Sequence, residues 1–149
     1  MPHLRIFPHS QEEFPSLDFL QTWLMTVLKA RGGIYNLRNR NAVADLPGGS
    51  IVLFRYGDQI IGEAVVRGYK RETHPTQPAM ADGRPYEAHV EFAPDSLRLY
   101  APPVAIKALQ AIVGNDLPIM VPNGYYIIRD WGSYPKLLSL HMEQNGRFL

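Results

Sequence analysis

Two runs rich in β-branched and aromatic residues, Ile51 to Tyr56 and Gln59 to Val66, are separated only by Gly57-Asp58. This pattern constrains the chain most, because so short a Gly-Asp link between such runs reads as a β-hairpin. Gly62 inside the return run marks a bulge or a close backbone approach. A second strand pair is expected downstream. It runs from Tyr86 to Phe92 and then, after the turn at Pro94-Asp95-Ser96, from Leu97 to Tyr100. Sequential strands joined by short turns favour an antiparallel or mixed sheet. A doubly wound fold needs strands alternating with helices, and this chain does not alternate.

Helical signals surround the strand pairs. Leu17, Leu20, Trp23, Leu24, Val27 and Leu28 recur at helical spacing behind Ser16, a suitable N-cap, and Gly32-Gly33 ends the run. Trp23 is expected in or near the core. Pro102-Pro103 suit the first turn of a helix over Val104 to Val113, and Ser133 is expected to cap a last helix from Tyr134 to Gln144. Shorter strands are expected at Leu4 to Phe7 and Tyr125 to Arg129, with a loop from His74 to Pro85. At 149 residues the chain is expected to form a single domain. The expected class is α+β, a curled antiparallel or mixed β-barrel flanked by about three helices.

Composition removes several chemistries. The chain has no cysteine, which excludes thiolate catalysis and Cys-ligated zinc or iron–sulfur sites, and fits a cytoplasmic location. The five histidines are scattered, without the short spacing of a metal site. No phosphate-binding glycine loop and no Gly-x-Ser-x-Gly elbow occurs. No apolar run approaches the roughly 20 residues of a membrane span, and the start lacks the basic and apolar regions of a secretory signal. No cofactor, metal or membrane partner is therefore expected.

Charge is informative through its distribution. Overall there are 15 basic and 14 acidic residues, but Phe19 to Ala44 contains no acidic residue and carries Lys29, Arg31, Arg38 and Arg40. Arg38 and Arg40 suit bidentate phosphate contacts. Asn36, Asn39 and Asn41 each offer a donor and an acceptor on one amide, as reading a base edge requires. Tyr35 precedes this run, and Trp131 stands before Gly132-Ser133, where a ring can be exposed for stacking. The same residues also suit a solvated loop with local Asn turns.

The order of several short motifs narrows the choice. Arg38-Asn39-x-x-Ala42 is followed by Gly49-Ser50-Ile51-Val52-Leu53-Phe54 and then by Ile61-Gly62-Glu63-Ala64-Val65-Val66. His89-Val90-Glu91-Phe92 and the run from Pro102 to Leu109 come later. Across Gly33 to Pro118 this series resembles the EVE branch of the PUA-like superfamily. Val43 stands where that family has an arginine after its alanine, and no tryptophan precedes the Arg-Asn pair. The neighbouring ASCH branch has a different signature, whose spacing Gly68-Tyr69-Lys70-Arg71-Glu72 does not match.

The resemblance implies a curled barrel with flanking helices and an aromatic pocket that receives a flipped, modified base of DNA or RNA. It also implies a partner nuclease, since some relatives are fused to one. The expected site is then Tyr35, Asn36, Asn39 and Trp131 around the base, with Arg38 and Arg40 on phosphate. Two alternatives stay open: a nuclease or base-processing enzyme using Glu63, Asp58 or His89, and a small-molecule or peptide module.

Overall fold

The computed structural model describes residues 2–38, 46–72, 74, 80, 82–114 and 126–149. Strand β1 (Leu4–His9) leads to helix α1 (Leu17–Thr22), which continues without a break into π-helical turns over Trp23–Leu28. Strands β2 (Ile34–Leu37), β3 (Ile51–Tyr56), β4 (Gln59–Lys70), β5 (Ala88–Phe92) and β6 (Arg98–Ala105) follow. Helix α2 (Ile106–Val113), strand β7 (Tyr126–Ile128), helix α3 (Ser133–Glu143) and strand β8 (Arg147–Phe148) complete the order.

All eight strands belong to one mixed sheet, with β2-β5-β4-β3-β1-β7 in sequence across it and β6 joining β4 to β8. Among the described residues only β1 and β3 run parallel. β4 holds the sheet together by serving β3, β5 and β6, with its register interrupted near Gly62 and again near Val66. Gly62 is needed there: a Cβ on it would lie 2.6 Å from the Arg98 carbonyl oxygen. Among the described residues no ladder joins β2 to β7, so the sheet is not closed into the barrel expected from the sequence.

Side chains alternate across the sheet, as period-two geometry requires. Phe7, Val52 and Phe54 enter one core with Leu20, Leu24 and Leu28 of the first helix. Leu4, Ile6 and Leu53 enter a second core with Ile106, Leu109, Ile128 and Leu137. Ser16 does cap α1, its hydroxyl accepting the Phe19 N–H at 3.1 Å. Packing outweighs that cap: each buried leucine contributes about 1.5–3 kcal/mol, against roughly 1 kcal/mol for the cap.

Two expectations at element boundaries are corrected, and two strands form where none was expected. β2 forms where no strand was expected, because Ile34 to Leu37 finds a partner in β5. Gly33 makes this join possible; its φ is 85°, and a Cβ would meet the Phe92 carbonyl at 2.0 Å. Pro102-Pro103 do not start a helix. β6 runs through them, and they sit where pairing with β4 is interrupted between Leu99 and Val104, so the missing N–H groups cost no ladder bond. Ser133 lies inside α3 as its first residue and makes no cap; Asp130 Oδ1 accepts the Gly132 N–H at 2.8 Å instead. The short β8 had no pattern to announce it and forms by pairing with β6.

Candidate functional site

Rings from four strands and the first helix meet on the α1 side of the sheet. Tyr35, from β2, is at their centre. Its ring lies 5.6 Å from Phe7, 5.8 Å from His9, 5.8 Å from Phe92 and 6.0 Å from Trp23, and it stacks on Phe54 at 6.3 Å. The hydroxyl donates to His9 Nε2 at 2.7 Å. His9 Nδ1 lies 3.1 Å from the Arg55 carbonyl, which can only accept. The hydrogen is therefore on Nδ1, and Nε2 is the acceptor for Tyr35.

Burial explains why both groups stay neutral. It pushes His9 down from 6.5 to about 4, against the smaller opposing effect of the Arg55 and Phe7 carbonyls. Burial also drives the Tyr35 phenol far above its usual range, helped by the nearby Glu13 carboxylate. The result is a neutral donor and a neutral acceptor locked together inside an aromatic cluster.

Trp23 connects this cluster to the surface. Its ring meets Tyr35 edge-on at 81° and Phe14 at a centroid distance of 5.5 Å. The Arg31 guanidinium carbon lies 6.0 Å from the indole centroid, the outer limit of a cation–π contact. Trp23 also lines an open groove of about 440 Å³ with Phe19, Thr22, Thr26 and Val27, and Asp18 supplies a carboxylate there. Phe19 is 51% exposed, so the groove presents an aromatic face to solvent.

The groove residues were missed as a set. Phe19, Trp23 and Val27 follow four-residue spacing, one position behind the core row Leu20, Leu24 and Leu28. Two such rows side by side are a legible signal, but a single apolar stripe absorbs Trp23 and Val27 and leaves Phe19 unexplained.

The residues expected from the sequence are dispersed. Tyr35 is enclosed on several sides rather than offering a free stacking face. Asn36 stands in β2 opposite His89 of β5. Arg38, just after β2, is exposed and ion-paired with Glu13. Asn39, Arg40 and Asn41 lie outside the described residues. Trp131 is elsewhere: its indole N–H donates to the Pro2 carbonyl at 3.2 Å. The extended run from Pro2 to His9 spans about 23 Å at roughly 3.3 Å per residue, so Trp131 does not share a site with Tyr35.

The residues of the enzymatic alternative do not converge either. Glu63 is buried; Tyr100 and Tyr134 each donate a hydroxyl to it at 2.6 Å, and Arg98 Nη2 donates at 3.3 Å. Asp58 is exposed at the hairpin turn. His89 lies opposite Lys70, about 23 Å along β4 from Glu63 at roughly 3.3 Å per residue. His89 Nδ1 bonds the Glu72 carbonyl at 2.9 Å. Among the described residues no three metal-ligating side chains gather, and no helix is long and apolar enough to cross a membrane.

No family model and no curated protein matches the chain. Two solved structures are similar in fold over nearly its whole length. The solution structure of Rpa0253 from Rhodopseudomonas palustris shares 16% identity, covering 95% of this chain and 94% of its own, with a TM-score of 0.59. A protein from Leishmania major shares 17% identity over 97% of this chain and 98% of its own, with a TM-score of 0.58. At that identity the similarity identifies a shared fold and nothing finer.

Proposed function

We propose that the chain is a nucleic-acid-binding module of the PUA-like kind, of the EVE branch, that takes a flipped, modified base of DNA or RNA. The observation carrying this reading is the Trp23 indole, backed by the Tyr35 cluster, lining a groove with Phe19 and lying beside Arg31. In this reading Trp23 and Phe19 supply the ring faces, while Arg31 and Arg38 contact phosphate. Stacking supplies roughly 1–3 kcal/mol per base, enough to offset the few kcal/mol of extruding one. The absence of acidic residues from Phe19 to Ala44 supports approach by a polyanion. The curled barrel of that superfamily belongs to the same proposal, supported by β4 serving three neighbours through its register shifts.

The test is a fluorescence-anisotropy titration with single-stranded and duplex oligonucleotides, with and without methylated cytosine, at two salt concentrations. Binding that weakens with salt, and is lost preferentially in Trp23→Ala, is expected. Absent or salt-insensitive binding overturns the reading.

A further inference from the structure

The groove wall depends on a residue that does not touch it. Trp23 contacts Tyr35 edge to face, and among the described residues the Tyr35 hydroxyl is bonded by His9 Nε2. His9 in turn is held by the Arg55 carbonyl of β3 and by ring contacts with Phe14 and Phe54, at 5.5 and 5.8 Å. The order of influence is therefore β3 backbone, His9, Tyr35, Trp23. Each step is a direct contact, and only the last member lines the groove.

We propose that His9 is a positioning residue for this groove: by accepting the Tyr35 hydroxyl it holds that ring against Trp23, and so sets the indole face presented to a ligand. The proposal rests on the nucleic-acid reading for the ligand, but not for the positioning itself. A phenol left without its acceptor in this setting must turn toward water or remain unsatisfied, and either course shifts the ring on which Trp23 leans. The neutral state of His9 supports the role, because an imidazolium has no lone pair to accept with. The titratable groups acting on Tyr35 are Glu13, Tyr86 and Arg38, of which Glu13 and Arg38 are paired with each other.

The chain has two tryptophans, so a Trp131→Phe background leaves Trp23 as the sole indole emitter. In that background His9→Phe removes the acceptor and keeps an aromatic ring. His9→Gln offers an amide oxygen in its place. Tyr35→Phe removes the donor alone. Acrylamide quenching of Trp23 is measured for each, with circular dichroism to check the fold.

His9→Phe and Tyr35→Phe are each expected to raise the quenching constant at least twofold. The double variant should be no worse than either single one, as one shared contact requires. His9→Gln is expected to restore the background value, which a purely space-filling role for His9 does not predict. Unchanged quenching in folded Tyr35→Phe, or additive effects in the double variant, overturns the proposal even if His9→Phe does not fold.

A fluorescein-labelled single-stranded oligonucleotide then separates the two readings. Affinity at least tenfold weaker in His9→Phe and within threefold of background in His9→Gln supports positioning for a ligand. If the wild-type protein binds none of the oligonucleotides, the nucleic-acid reading fails, while the quenching series still decides the role of His9.

Discussion

On the α1 face of the sheet Tyr35 donates to a neutral imidazole; on the opposite face Tyr100 and Tyr134 donate to the Glu63 carboxylate. The second arrangement buries a charge, and a buried carboxylate needs most of its lone pairs occupied. β6 contributes Tyr100 and Arg98, α3 contributes Tyr134, and Phe148 of β8 lies 3.9 Å from the Arg98 guanidinium. Saturation closes that face with side chains from three elements around β4. A neutral pair needs only one bond per partner, and so the α1 face can leave Trp23 at the surface. An open groove lies beside the Tyr35 pair, and a clamp surrounds Glu63.

The largest expected effect breaks the clamp. Glu63→Ala strands two phenols and a partly buried guanidinium, and stability in urea titration should fall by about 3 kcal/mol or more. Quenching of Trp23 in the folded variant should stay unchanged. A moved Trp23 would show that the two faces are coupled and end the contrast.

Solution pH should distinguish the faces next. His9 has its folded value lowered to about 4 from 6.5, so the unfolded chain binds more protons between those values. Its contribution is complete above pH 6.5 and declines as pH falls toward 4, by at most about 3 kcal/mol. Equilibrium unfolding of His9→Gln should lack this part of the acid loss. Alkali acts on the other face. Burial, together with Glu63, raises Tyr134 to about 12 and Tyr100 further, so unfolding releases protons that the folded state retains. The Tyr134 contribution is complete below pH 10 and declines as pH rises from about 10 to 12, while that of Tyr100 goes on declining above it; Tyr134→Phe should reduce the first.

Trp23→Ala sharpens the comparison at the groove. Oligonucleotide affinity should fall by roughly 1–3 kcal/mol, about fivefold to 150-fold, measured by anisotropy at fixed salt. The smallest change is expected from Arg38→Ala. Its ion pair with Glu13 is exposed, so stability should move by less than about 1 kcal/mol. Binding should weaken uniformly across sequences, with the salt slope reduced by about one. A loss confined to one base would instead make Arg38 a reader of sequence.

Legibility followed the range of the interactions involved. Gly57-Asp58 announced the β3–β4 hairpin because turn chemistry is local. Ser16 announced the start of α1 for the same reason. Pro102-Pro103 misled because a proline pair suits a helix start equally well as an interrupted ladder, and only β4 decides between them. β2 was hidden because Ile34 to Leu37 is too short to show a period, and its strand state comes from β5. At the site, Tyr35 was read as a stacking face, and its enclosure by rings from β1, β3 and β5 has no local signature. Trp131 looked equivalent in the sequence and lies at the other end of β1.

Taken alone, the residue order determined the α+β class, the hairpin, the main helical stripes and the acid-free basic segment. Those features depend on neighbours within a few positions, where periodicity and turn propensity act. Tertiary structure alone decided that Glu63 is clamped and that Phe19 and Trp23 border a groove. It also decided that His9 meets Tyr35, because these contacts join residues brought together only by strand register and by the placement of helices on the two faces of the sheet.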